Sequence, residues 1–273
     1  MSSEHFGAID ADVILRSADG RDFHVHKSML SIASPVFRNM FTFPQPPSSE
    51  SSPIPVVDVS ETGNVLDVFL RCLYPVSKPT VQDFGLLEGL VAAAEKYETD
   101  IVLDMVKSWL VLPENLRSDP LRVYAIACTS STFDEQAKAA AKRMTLETIN
   151  SASLNTIGRL TAIDHHRLVV YLLKREKEAK LVGNEPSWTI FYAPRCACGT
   201  EAKENLRGRI KRTILGAFVS NPLLTTEGAV VLAWQKAAKV HPCHNGCTLL
   251  NRGEEYAKEL VQKLVQMSDK LLW

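Results

Sequence analysis

Charge of one sign is what this chain lacks first: 31 Lys and Arg residues are balanced by 31 Asp and Glu residues, for a formal net charge of zero. A surface without excess positive charge has no long-range pull on nucleic acid or on an anionic membrane, so neither is expected as a partner. No apolar run reaches the roughly 20 residues of a membrane-spanning helix. The opening Met1-Ser2-Ser3-Glu4-His5-Phe6 has neither the basic nor the apolar region of a secretory leader. An intracellular setting, cytoplasmic or nuclear, is therefore expected, and there the six cysteines read as thiols or metal ligands before disulfides. Phosphate-binding loops are also missing: neither G-x-x-x-x-G-K-[ST] nor G-x-G-x-x-G occurs. No Gly-x-Ser-x-Gly and no papain-like or caspase-like cysteine signature is present. No catalytic residue and no cofactor is expected on these grounds, with structural zinc kept open below. Kelch, zinc-finger-array and ankyrin repeats are absent, so no repeat names a target.

What is present is ordinary globular material: 45% apolar and 23% charged residues over 273 positions, enough for more than one domain. The densest signal lies between Ala11 and Phe41. Val13 and Leu15 alternate with Ile14 and Arg16, as in a strand, and Phe23 and Val25 alternate with His24 and His26. Ala18-Asp19-Gly20-Arg21 between them is turn chemistry, with Gly20 free to take positive φ. Lys27 to Ile32 follows as a turn or two of helix, and Ser34-Pro35 opens another, with Ser34 as its N-cap and Pro35 at its first position.

This stretch resembles the opening of a BTB (POZ) domain. The residues that carry the likeness are Asp12-Val13, Phe23, His26-Lys27, Leu30, Ser34 and Phe37, in the family's order. Further on, Val57 and Val59 form a short strand between Pro55 and Ser60. Val65, Val68, Phe69, Cys72 and Leu73 have helical spacing and stop before Pro75, and Leu87, Leu90, Val91 and Ala94 make a helix ending near Tyr97. Thr99 caps a third helix in which Ile101, Met105 and Trp109 share a face, with Val102, Val106 and Leu110 beside it. Three short strands, a helical pair and three more helices follow the family's order. The resemblance thus implies an α+β fold, a small β-sheet flanked by α-helices over about residues 8–112. It also implies a non-catalytic module that binds other proteins, in the manner of stand-alone fungal BTB proteins.

The domain expectation is 1–112 for the BTB domain, 113–182 for a helical extension similar to the BACK region, and 183–273 for a C-terminal helical region. Residues 1–10 read as a mobile tail, and the Pro- and Ser-rich residues 42–54 as an exposed loop. In the extension, Asp119-Pro120 starts a helix with Leu121, Tyr124, Ala125 and Cys128 on its face. Ala137, Ala140 and Ala141 in the next helix admit a close neighbour, and Asp164 caps a third with Leu168, Val169, Leu172 and Leu173 apolar. Lys174 to Lys180 mixes charges and reads as a solvated face, and Gly183 to Ser187 as a break. Tyr256, Leu260, Leu264, Met267 and Leu271 mark a last amphipathic helix.

Two sets of residues are candidates for function. Met29, Phe37, Met40 and Phe41 gather around the second helix; Phe37 reads as core, and Met29, Met40 and Phe41, together with Phe43 just beyond, are the candidate partner-binding residues. Cys196-x-Cys198 and Cys243-x-x-x-Cys247 are two close pairs of soft ligands, with His241 and His244 as substitutes. Two intervening helical patterns, packed as a hairpin, bring the pairs together. The spacing leaves three readings open: a structural or working zinc site, buried thiols, or disulfides. His24, His26, His165 and His166 lie in no nucleophile motif. Arg207 to Arg212 is a small basic cluster that reads as a solvated helix face.

BTB domains either self-associate or recruit a cullin-type ubiquitin ligase scaffold, and others serve transcription-related complexes. Swapped dimers use an extra N-terminal helix and strand, which the ten or so residues before Ala11 do not hold, so a monomer or weak dimer is expected. Cullin recruitment uses a hydrophobic-x-Glu signature after the second helix, where this chain has Thr42-Phe43-Pro44-Gln45-Pro46-Pro47. Weak cullin binding, if any, follows.

Overall fold

Alternation in the sequence becomes a small mixed sheet. In the computed structural model, which describes residues 6–7, 10–43, 54–184, 262–264, 266 and 270, β1 (Val13–Arg16) is central. It pairs antiparallel with β2 (Asp22–Val25), Val13 facing Val25 and Leu15 facing Phe23. It pairs in parallel with β3 (Val56–Asp58), Ile14 facing Val56. The β1–β2 turn needs its glycine: Gly20 has φ of 78°, where a Cβ is strained. Val13, Leu15, Phe23 and Val25 are fully buried. Ile14 is buried as well, because a central strand is covered more completely than simple alternation implies.

The chain divides into two compact units, Met1–Ser118 and Asp119–Trp273. In the first, α1 (Lys27–Ala33) and α2 (Pro35–Thr42) follow β2. After β3 come α3 (Gly63–Leu73), α4 (Phe84–Lys96), α5 (Asp100–Leu110) and α6 (Pro113–Ser118). Leu30, Phe37, Leu66, Phe69, Leu87, Leu90, Val102 and Val106 build the core. A glycine lets α3 and α4 approach: a Cβ on Gly89 would lie 2.6 Å from a Val65 methyl. Two expectations for α5 change. Thr99 stands at the N-cap, but its hydroxyl donates to the Ala94 carbonyl at 3.4 Å instead of capping the helix. Ile101 is exposed, and the buried face is Val102, Val106, Trp109 and Leu110. α6 is tied back by the buried Asn115, whose amide donates to the Trp109 carbonyl at 2.8 Å.

The second unit is helical wherever it is described. Asp119 caps α7 (Pro120–Ala127), accepting from the Arg122 amide at 2.9 Å, as the Asp-Pro pair implies. A short 3-10 turn, Ser131–Phe133, leads into α8 (Asp134–Ala141), whose buried Ala137, Ala140 and Ala141 fit its packing against α7. α9 (Leu146–Asn150), α10 (Leu154–Ile157) and α11 (Ala162–Asn184) follow. The cap of α11 is Thr161, not Asp164: the Thr161 hydroxyl accepts from the Asp164 amide at 3.1 Å and donates to its carboxylate at 2.6 Å. Leu168 and Leu172 are buried as expected, but Leu173 is half out and Tyr171 takes the inward place.

The expected solvated face on α11 is interrupted by Arg175, which is only 4% exposed. Its guanidinium donates to the carbonyls of Ala141, Lys142 and Met144 at the end of α8 and lies 5.6 Å from the Tyr171 ring centre. Helix ends leave orphan carbonyls, and a five-donor fork can satisfy several at once. That explains a buried charge which composition alone places in water.

Candidate protein-interaction surface

The α1–α2 hairpin is fixed from beneath by polar groups. Asp12 accepts from the Lys27 amide at 2.7 Å, serving an orphan donor at the first residue of α1. Ser34 is fully buried; its hydroxyl accepts from the Phe37 amide at 3.1 Å and donates to the Tyr97 carbonyl at 2.5 Å. One side chain thus caps α2 and binds it to the end of α4. Phe37 stacks on Tyr97 with ring centres 4.4 Å apart. Phe41 stacks behind Phe37 at 6.1 Å, with the Lys27 ammonium 5.8 Å from its ring centre. Since Lys27 opens α1 and Phe41 lies near the end of α2, the two helices run antiparallel.

Apolar groups remain on the outside of this hairpin. Ile32 is 79% exposed and Phe43 is 67% exposed, while Met29, Met40 and Phe41 are half-buried. Phe37 is core, as expected. Ile32 was not among the candidates, yet its position is readable: it is two residues after the buried Leu30, roughly 200° around a helix, so it must face away.

A second surface lies along the outer edge of β2. Within the stretch that reads as a tail, Phe6 is only 2% exposed. Its ring sits edge-on to Tyr74 at 5.4 Å and tilted to Phe23 at 6.1 Å. Burying such a ring contributes roughly 2–3 kcal/mol, the reason it leaves solvent. The Phe6 carbonyl accepts from the His24 amide at 3.1 Å, and Gly7 bridges His24 in parallel. Asp10 comes within 3.4 Å of the His26 Nε2. Tyr74 completes the cluster: its hydroxyl accepts from the His26 amide at 2.7 Å and lies 3.3 Å from Nδ1. Burial, reinforced by Asp12 and Asp10, pushes the Tyr74 phenol up despite that amide.

The described thiols are not chemically primed. Burial pushes Cys72 up to about 11, against the pull of Lys78 and Arg71, and pushes Cys128 up to about 11 as well. Both are protonated thiols at neutral pH and poor nucleophiles. Among the described residues no group of three or more His, Cys, Asp or Glu side chains is placed to hold a metal ion. Cys196, Cys198, Cys243, Cys247, His241 and His244, and the basic cluster at 207–212, lie outside the described residues.

Residues 5–111 fit the model of the BTB/POZ domain. The first unit is a BTB domain. BTB domains bind other proteins and self-associate, and the family is non-catalytic. No curated protein matches the chain. Among the described residues no helix is long and apolar enough to cross a membrane. Of the four candidate contact residues, the BTB hairpin places Met40, Phe41 and Phe43 at the end of α2 and Met29 on the neighbouring α1.

Proposed function

We propose that the chain is a non-catalytic adaptor whose BTB domain holds a partner protein through the outer side of the α1–α2 hairpin, with Met29, Met40, Phe41 and Phe43 joined by Ile32. The observation that carries this reading is the exposure of Ile32 and Phe43, at 79% and 67%, on a hairpin whose own packing is complete underneath. Water-exposed branched and aromatic side chains gain apolar contact when a partner covers them, and Met and Phe are enriched at the centres of such interfaces. The helical second unit then serves as the adaptor's other arm, in the manner of a BACK-like extension. Assembly with a cullin-type ligase scaffold or with a transcription-related complex is the finer form of the same reading.

Affinity purification of the intact chain, with partners identified by mass spectrometry, tests it. A double variant, Ile32→Asp with Phe43→Asp, leaves the buried Ser34, Phe37 and Tyr97 untouched. It should keep the melting temperature and lose the captured partners by about tenfold or more, since each central apolar contact carries roughly 1–2 kcal/mol. A variant that retains every partner would place the binding surface elsewhere.

A further inference from the structure

The α1–α2 hairpin carries charge of one sign only. From Phe23 to Phe43 the sequence holds Lys27 and Arg38 and no Asp or Glu, although the chain as a whole is neutral. Both cations border the candidate apolar groups. The Arg38 Nε donates at 2.9 Å to the Ser31 carbonyl, which belongs to the peptide bond leading into Ile32. The Lys27 ammonium lies 5.8 Å from the ring centre of Phe41. Neither side chain forms an ion pair among the described residues. The carboxylates nearby in the fold are engaged or apart. Asp12 serves the Lys27 amide and Asp10 meets His26. Glu98, one residue beyond the Tyr97 that holds Ser34, does not pair with Arg38.

We infer that the hairpin takes a protein segment in which a carboxylate stands beside a bulky apolar side chain, the carboxylate seated on Arg38 and the apolar group on Ile32. This rests on the reading of the hairpin as the partner-binding surface and adds to it the chemistry that selects the partner.

The Arg38 bond has a structural role of its own. Ser31 lies in the last turn of α1, where carbonyls lack an intrahelical partner, and the Nε group satisfies one of them. That uses one donor of five. The two terminal amino groups remain, on a side chain that is exposed, and their spacing matches the two oxygens of a carboxylate. A guanidinium already held through Nε needs less ordering when a partner arrives. A lysine could not serve the Ser31 carbonyl and present a planar fork at once. Lys27 adds charge of the same sign beside Phe41, so a basic segment is repelled at both ends of the hairpin. Burial of Ile32 favours any apolar partner alike, whereas the two cations discriminate among them.

The test pans a phage-displayed library of random peptides on the intact chain. Recovered sequences should carry Asp or Glu next to Leu, Ile, Met or Phe. A fluorescein-labelled peptide of that consensus should bind at least about fivefold more tightly, in fluorescence anisotropy, than its analogue with the acid replaced by the amide. On Arg38→Gln the two peptides should bind alike, the signature of a direct pair. Ile32→Ala should weaken both by a common factor of about five. A library that yields no peptide, or none with an acidic preference, overturns the inference, and so does an acidic preference that survives Arg38→Gln. Neutral apolar peptides weakened by Ile32→Ala but not by Arg38→Gln would overturn it and leave the hairpin reading intact. Peptides indifferent to both variants would count against the hairpin itself. Should Arg38→Gln lose its fold with the Ser31 tie, a sodium chloride titration of the wild type decides. The gap between acid and amide peptides should shrink at least about twofold from low to high salt, and a gap that salt leaves unchanged overturns the inference.

Discussion

Glu61 shows how a single residue can tie two elements of the BTB domain together. Its carboxylate accepts from the Tyr97 hydroxyl at 2.7 Å and pairs with the Lys96 ammonium at 2.9 Å, with the side chain only 9% exposed. Burial alone would raise this carboxyl; the Tyr97 hydroxyl and Lys96 more than offset it and hold it below its ordinary 4.5. A carboxyl that is harder to protonate folded than unfolded stabilises the fold above the unfolded value, and that stabilisation is lost as pH falls through the folded value. Wild type should therefore be more stable than Glu61→Gln at pH 7 by roughly 1–2 kcal/mol. The gap should close below about pH 4, the carboxylate range, in urea titrations run at several pH values. A gap that persists unchanged at low pH would assign the effect to packing instead of charge. Of such residues the sequence disclosed Ser34 and Asp119, because a cap is a local signal written in adjacent letters. It did not disclose Glu61, whose partners lie about 35 positions away, nor Thr161, in whose place Asp164 reads as the cap.

At the scale of elements, periodicity located α3, α4, α5, α7, α8 and α11 but not the short α6, α9 and α10, and the two boundary dipeptides Ser34-Pro35 and Asp119-Pro120 start α2 and α7 as read. Faces were less legible than spans. On α5 the apolar Ile101 points outward, and on α11 the charged Arg175 points inward, because the neighbour that decides a face comes from a distant stretch. Arg175 joins α11 to the end of α8 through three carbonyls. Arg175→Ala leaves these carbonyls without their donor, and should cost roughly 2–4 kcal/mol. Arg175→Lys should recover little, since an ammonium lacks the planar fork that reaches several acceptors. Hydrogen exchange through residues 138–146 is the local readout. Exchange there should accelerate in both variants, and full protection in the lysine variant would reduce the role of Arg175 to its charge.

At the scale of the whole molecule, the family was legible from about thirty residues, because Asp12, His26-Lys27 and Ser34 each hold part of this hairpin in place. Asp12 holds the first amide of α1, the His26 amide meets Tyr74, and Ser34 joins α2 to α4. The burial of Phe6 was not legible, since a lone aromatic in a polar opening has no periodic neighbours to give it away. Binding to a cullin scaffold, the finer form of the proposed adaptor reading, turns on a shorter motif still. The hydrophobic-x-Glu signature that the family resemblance attaches to cullin recruitment has no counterpart after α2: Phe43 supplies an apolar group, but Gln45 stands where the glutamate would fall. A glutamine keeps the hydrogen-bonding outline of that carboxylate and loses its charge, so it removes a charge-assisted contact of roughly twice the strength of a neutral one. Titration of the purified chain against a cullin N-terminal domain should therefore give weaker binding than a BTB protein that carries the signature. Gln45→Glu should tighten it by about tenfold, the equivalent of roughly 1.4 kcal/mol. Nanomolar binding by the unaltered chain would mean that α1–α2 contacts alone suffice, and no gain from Gln45→Glu would remove the cullin scaffold from the adaptor reading while leaving the exposed hairpin to another partner.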